Sequence, residues 1–244
     1  MPKFTAENLG PLKSTFGFSA VDINSLGATE YTLVGLVVDC SGSVSGFRKE
    51  EEAAIKEIVA ACRKSPRADN LMLRYTLFDS RVMENHGFKL LMNCNPSDYD
   101  GTIPSGGATA LFDAAVDGVD ALARYGDQLQ KNDMNANAIL FIITDGANCA
   151  GTMTANEVKK AVDRARKSEH LESITTILIG VNLDPNVSGL LADFVRDAGL
   201  DQFVNIGDAN QKTLARLAAF VSKSISSTSQ ALGTGGPSQT LPTF

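Results

Sequence analysis

Three short apolar runs constrain this 244-residue chain more than any other feature: Tyr31 to Val38 (YTLVGLVV), Ala138 to Thr144 (AILFIIT) and Ile174 to Val181 (ITTILIGV). Each is far too short to cross a bilayer, and each lacks the apolar/polar alternation of a strand with one wet face. They predict strands buried on both faces, as in a parallel sheet. Between and after them apolar residues recur at helical spacing: Ile55, Ile58, Val59 and Cys62; Leu111, Ala115, Val119 and Leu122; Val158, Val162 and Ala165; Leu214, Leu217, Val221 and Ile225. Strands alternating with helices predict a doubly wound α/β sheet.

Two other segments, Leu71 to Phe78 and Val82 to Leu91, are separated only by Asp79-Ser80-Arg81 and read as a hairpin, which places one antiparallel strand at an edge. Gln202 to Ile206, reached through the helix-like Val187 to Ala198, supplies a sixth strand. The expected fold class is therefore α/β, Rossmann-like: a doubly wound, mostly parallel six-stranded sheet with one antiparallel edge strand. Residues 1–30 carry spaced apolar positions such as Phe4, Leu9, Phe16 and Val21, and predict an N-terminal arm packed on the domain. The domain proper spans 31–230. Residues 231–244 predict a flexible tail, since nine of the last twelve residues are Gly, Ser, Thr or Pro.

With 43% apolar and 20% charged residues, the composition suits one large globular domain and excludes disorder or coiled coil for most of the chain. Twenty-eight acids against 22 Lys and Arg give a net charge of −6, with no basic run longer than Arg63-Lys64, so no nucleic-acid partner is expected. The first ten residues lack an apolar leader core and no later stretch has the length of a span, which predicts no membrane association and a cytoplasmic location. Cys40, Cys62, Cys94 and Cys149 form no CxxC pair and read as free thiols.

In doubly wound sheets ligands bind beyond the carboxyl ends of the strands, so the polar residues that follow each apolar run are the ones to examine. The first run ends in Asp39-Cys40-Ser41-Gly42-Ser43 and the second in Asp145-Gly146. A third loop, Ser105-Gly106-Gly107-Ala108-Thr109, precedes the helix that starts near Ala110. Two carboxylates and three hydroxyls meeting at one rim suit a hard divalent cation, and Mg²⁺ takes about six oxygens while keeping some of its waters. Two carboxylates only just neutralise the ion, which leaves room for an acidic group of another molecule in the shell.

Asp-x-Ser-x-Ser after the first strand, Thr in a Gly-rich loop and Asp-Gly after a later strand resemble the von Willebrand factor A family with its metal-ion-dependent adhesion site. The resemblance runs from about Tyr31 to Ser229, through TALFDA, FIITDG and ILIGVN. It implies that Ser41, Ser43 and Thr109 supply hydroxyl ligands, and that Asp39 and Asp145 bind directly or through water. The implied metal is Mg²⁺, with Mn²⁺ or Ca²⁺ as alternatives. The phrases LGATEYTLV, CRKSPRADNLMLR and ENHGF look like single-domain bacterial or phage members of the family. Some relatives act beside AAA+ ATPases of the MoxR type or in stress-response gene clusters. The implied partner is a protein presenting an Asp or Glu, a MoxR-type ATPase or another co-encoded protein among the options.

Plainer readings stand beside these. Thr109 is equally a helix N-cap and Asp145-Gly146 an ordinary turn. His86 and His170 read as structural or solvent-facing, and Lys49-Glu50-Glu51-Glu52 as an exposed first helical turn. Cys40 and Cys149 could form a redox pair, though rim thiols are the simpler reading. A metal-dependent hydrolase or phosphatase on the same rim lacks a second acid at position 41, a GxxxxGK loop and any evident general base, so the expectation is a binding module and not an enzyme. A structural subunit whose metal only braces the loops is the third reading.

Overall fold

The structure is a computed structural model and describes residues 6–11 and 17–234. Eight strands form a single sheet: β1 (Ala6–Pro11), β2 (Gly17–Val21), β3 (Glu30–Asp39), β4 (Leu71–Phe78), β5 (Val82–Leu90), β6 (Asn135–Thr144), β7 (Ile174–Gly180) and β8 (Gln202–Asn205). Their spatial order is β1-β2-β5-β4-β3-β6-β7-β8. Five α-helices accompany them among the described residues: α1 (Arg48–Cys62), α2 (Leu111–Gln130), α3 (Ala155–Lys167), α4 (Pro185–Ala198) and α5 (Gln211–Thr234).

The apolar runs became strands because both faces of the sheet are covered. Side chains along a strand alternate between faces. Leu33 and Val37 of β3, with Leu140 and Ile142 of β6, therefore pack under α2, α3 and α4. Val34, Leu36 and Val38, with Ile139, Phe141 and Ile143, pack under α1 and α5. A residue left polar on either face would be dehydrated, which is why the runs are continuous. Helix α2 lies close on the sheet because Gly118 has no side chain: a Cβ there would sit 2.8 Å from Leu140 Cδ1 and 3.3 Å from Val37 Cγ2. Local signals set helix ends as well. Thr154 and Glu157 form a capping box at α3, while α4 starts at the Asp184 cap followed by Pro185 and stops at left-handed Gly199.

The expected α/β class and all six expected strands are present, including the β4–β5 antiparallel hairpin. The sheet does not end at that hairpin, however. β2 adds to β5 in parallel through Ala20 and Phe88, and β1 pairs antiparallel with β2, so β5 is an interior strand and the sheet has eight strands, not six. Part of the segment read as an arm is thus sheet. The reason lies in a buried polar chain. Ser19 donates through its backbone N–H and Oγ to Glu84 Oε1 at 2.9 and 2.6 Å, Arg74 Nε donates to Glu84 Oε2 at 2.9 Å, and Arg74 Nη1 donates to Asp117 Oδ2 at 2.8 Å. Arg74 is 2% exposed and lies 6.0 Å from the Phe18 ring centre, so β2 closes the cover over a buried guanidinium. Of the expected tail, residues 231–234 close α5; 235–244 lie outside the described residues.

Removing one member of a buried ion pair leaves the other charge stranded. Arg74→Met should lower the unfolding free energy by about 3–5 kcal/mol, measured by urea denaturation, whereas the double variant Arg74→Met/Asp117→Leu should recover much of that loss.

Candidate metal centre

The candidate site is built where β3 and β6 end side by side. Val38 pairs with Ile143 in the parallel ladder, so the next residues along, Asp39 and Thr144, emerge together. Thr144 Oγ1 donates to Asp39 Oδ2 at 2.6 Å, and the backbone N–H of Ser41 donates to Asp39 Oδ1 at 2.8 Å. Both Asp39 oxygens are thereby fixed in orientation. Past Ser41 the chain turns as a short 3₁₀ helix, Gly42–Gly46, that carries Ser43 back over the rim. Ser41 Oγ and Ser43 Oγ lie 3.1 Å apart, and Ser43 Oγ donates to Asp145 Oδ1 at 2.8 Å. Four of the five residues expected at the site, Asp39, Ser41, Ser43 and Asp145, therefore sit on one string of short polar contacts.

The fifth comes from the third loop. Gly42 N–H donates to Gly107 O at 3.3 Å and Gly106 N–H to Cys40 O at 3.2 Å, which fastens that loop to the first. The hairpin turn holds it from the other side, since Asp79 O accepts from Ala110 N–H at 2.7 Å and Ser80 Oγ from Ala108 N–H at 2.9 Å. Thr109 is not the helix cap. Ala110 occupies that position, and Thr109 O accepts from the backbone of Cys149 and Ala150 at 3.0 and 3.1 Å. Its hydroxyl stands beside the second loop, 3.6 Å from where a Cβ on Gly146 would be. The loop after Asp145 is pinned in turn to the start of α2. Asp113 accepts from the backbone N–H groups of Thr152 and Met153, and Gly151, at φ +90°, fits where any Cβ would run into that carboxylate.

The electrostatics of the rim are one-sided. Burial pushes Asp39 up to about 6 against the hydrogen bonds from Thr144 and Ser41, and the charge of Asp145 adds to the rise. Burial likewise raises Asp145, opposed by the Ser43 hydroxyl. Two carboxylates and three hydroxyls at one rim form a donor set that fits a hard divalent ion.

No family profile and no curated protein matches the chain. Solved structures do. A von Willebrand factor type A protein from Catenulispora acidiphila superposes with a TM-score of 0.55 at 16% identity, covering 82% of this chain and 43% of its own. The chain has a von Willebrand factor A-like fold. The PilB minor pilin from Streptococcus sanguinis shares this A-type fold (TM-score 0.57, 15% identity, 86% of this chain and 64% of that one). So does proximal thread matrix protein 1 from the mussel byssus, in a form with a zinc-occupied MIDAS motif (TM-score 0.53, 15% identity, 81% and 46%). The chain spans less than two thirds of each of these neighbours.

Other sequence readings meet the A-type fold with mixed outcomes. All four cysteines are free; Cys40, Cys62 and Cys94 are buried, and Cys149 Sγ accepts from Thr109 N–H at 3.3 Å. Burial pushes the Cys40 thiol up to about 12, which keeps it in the protonated form. His86 is a buried structural group, its Nε2 2.8 Å from the Tyr99 hydroxyl and its basicity lowered to about 4 by burial. The run 49–52 is not uniformly exposed. Glu51 is 2% exposed, and burial together with Asp39, Asp145 and Glu52 drives its carboxyl well above the ordinary range. The signal was present: Glu51 precedes Ile55, Ile58 and Cys62 at spacings of four, seven and eleven, on the buried stripe of α1. Thr144, the last residue of an apolar run, and Asp113, the only acid in the first turn of α2, are the other residues on which the site depends.

An acid whose folded value lies above its unfolded value binds its proton more tightly when folded, so its contribution to stability grows as pH falls. For Asp39 the penalty is complete above about 6 and is relieved between about 6 and the ordinary 3.8. In EDTA the protein should gain thermal stability from pH 7 to pH 5, and Asp39→Asn should flatten that slope. Differential scanning calorimetry at the two pH values checks it.

Proposed function

We propose that this chain is a divalent-metal-dependent protein-interaction module that captures an acidic residue of a partner protein. Asp39, Ser41, Ser43, Thr109 and Asp145 would hold the ion, and Mg²⁺ is the assignment, with Mn²⁺ or Ca²⁺ able to use the same oxygens. The observation that carries this reading is the convergence of three loops, which brings two carboxylates and three hydroxyls to one rim. The bound cation supplies an electrophilic position for one more oxygen ligand. Everything else is done by the protein. Thr144 and the Ser41 amide orient Asp39, Ser43 bridges to Asp145, and Asp113 holds the Asp145 loop against α2. The zinc-occupied MIDAS motif of the mussel byssus neighbour lends support to a metal at this rim.

Charge arithmetic favours an acidic partner. Two carboxylates balance a 2+ ion, so an incoming Asp or Glu adds one net negative charge, which a solvent-facing rim tolerates. Hydrolysis would need a base within hydrogen-bond reach of a metal-bound water. Asp39 and Asp145 are the acids on the string and both are committed to the ion, so the reading is a binding module and not an enzyme. A MoxR-type ATPase or another co-encoded protein is the partner class we propose, in a bacterial or phage stress-response or defence assembly. No helix among the described residues is long and apolar enough to cross a membrane. Three buried free thiols fit the reducing cytoplasm that we propose as the location.

Asp39→Ala should abolish Mg²⁺ binding by isothermal titration calorimetry; Asp39 is buried and holds Thr144 and the Ser41 amide, so the variant should also lose stability, while the intact apolar layers keep unfolding cooperative. Partner capture should vanish in EDTA, return with Mg²⁺, and fall at least tenfold when one acidic residue of the partner is neutralised. Unchanged Mg²⁺ affinity in Asp39→Ala would sink the site. Phosphoester or peptide turnover lost in both Asp39→Ala and Asp145→Ala would replace the module with a hydrolase.

A further inference from the structure

The acidic run at the start of α1 contains one carboxylate that the fold does not explain. Glu50 is exposed, and Glu52 has a structural task, accepting from the backbone N–H groups of Gly101 and Ile103 at 3.2 and 3.1 Å and so tying that loop to α1. Glu51 has no such task. It is buried, and its Oε2 has no hydrogen-bond partner. A buried ionisable oxygen is normally paired, because water no longer solvates it.

Its surroundings give the direction of the missing partner. The charges that act on Glu51 are Asp39, Asp145 and Glu52, all negative, and Glu51 acts in turn on Cys40 and Tyr75. Glu51 lies in the first turn of α1, which follows directly on the 3₁₀ turn that carries Ser43, and its N–H donates to Phe47 O at 3.0 Å. Among the described residues no three acidic, thiol or imidazole side chains come together as a direct cage. Glu51 forms no such cage with Asp39 and Asp145. An orphaned oxygen near a hard-cation site matches the hydrogen of a metal-bound water, since Mg²⁺ keeps several waters when protein oxygens fill only part of its shell.

We propose that Glu51 is a positioning residue of the metal centre, its Oε2 accepting a hydrogen bond from a water of the bound cation on the protein-facing side. This rests on the reading of the rim as a metal site and deepens it. A water held by Glu51 would leave Asp39, Ser41, Ser43, Thr109 and Asp145 to hold the ion, with a partner's carboxylate able to add to the shell. Outer-shell acceptors of this kind orient the primary shell, and their loss typically weakens metal affinity by about 10- to 100-fold.

The test uses the full chain and Mg²⁺ alone, titrated calorimetrically, with no partner present. Glu51→Gln, which keeps an acceptor oxygen but loses its charge, should weaken Mg²⁺ binding about tenfold, and Glu51→Leu, which loses both, by closer to 100-fold. In EDTA both variants should unfold cooperatively and at no lower temperature than the wild type, because an unpaired buried carboxyl has been removed. Glu52→Gln, one residue along, should leave Mg²⁺ affinity within about twofold. Equal weakening by Glu51→Gln, Glu51→Leu and Glu52→Gln would reduce the effect to distant charge and overturn the water bridge. Wild-type affinity in both Glu51 variants would overturn it too, while leaving the metal site intact. A wild-type chain that binds no Mg²⁺ would bring down both readings.

Discussion

The in-register parallel pairing of β3 with β6 is the constraint on which the rest of the molecule depends. Because Val38 lies opposite Ile143, the two chains leave the sheet at the same height, and Asp39 and Thr144 meet within 2.6 Å. A slip of one residue would turn every side chain of a strand to the opposite face and separate that pair. The register is held by burial on both faces, with Val34, Leu36 and Val38 under α1 and α5, and Leu33 and Val37 under the other three helices. The hydrophobic layers thereby do more than stabilise the domain. They set the relative position of the oxygens at the ends of the two strands.

That rim is held in a state of electrostatic tension. Asp39, Asp145 and Glu51 are all pushed toward their neutral forms, and burial is the first cause in each case. Elsewhere the same protein compensates its buried charge. Arg74 is matched by Asp117 and Glu84, and Arg164 reaches the buried Asp120 at 2.7 Å. The contrast separates structural charge, which arrives with its counter-ion, from charge at the strand ends, which does not. A group left unpaired at the carboxyl end of a doubly wound sheet is where a ligand is expected.

The Arg74 chain also shows how the fold extends past its central strands. Arg74 points out of the covered part of β4 toward α2, and its guanidinium would meet solvent or an open groove if β5 were the last strand. Glu84 and Ser19 carry the hydrogen bonds across to β2, and the stacked pair of Phe88 and Tyr125, with ring centroids 4.9 Å apart, fills the space beneath. The Tyr125 hydroxyl then donates to Val21 O at 3.0 Å and ties the end of β2 to α2. Strand addition at that edge is thus a consequence of covering a buried cation and an aromatic pair.

Much of this was legible in the sequence. Continuous apolar runs can be satisfied only by a sheet covered on both faces, so the α/β class, the six central strands and the positions of the Asp39, Thr109 and Asp145 loops followed from one-dimensional pattern. The candidate residues Asp39, Ser41, Ser43, Thr109 and Asp145 could be named because they end those runs or precede a helical stripe. Tertiary structure decided what depends on partners distant in the chain. β2 meets β5 through a single residue pair and has no pattern of its own. Arg74 in β4 finds its counter-charge in Asp117, 43 residues on. Glu51 sat on the apolar stripe of α1 in plain sequence spacing, yet its type argued for solvent. Only the packing of α1 behind the strand ends buried it. Periodicity reports which face a residue takes, whereas the charge it will meet there is fixed by which elements fold against that face.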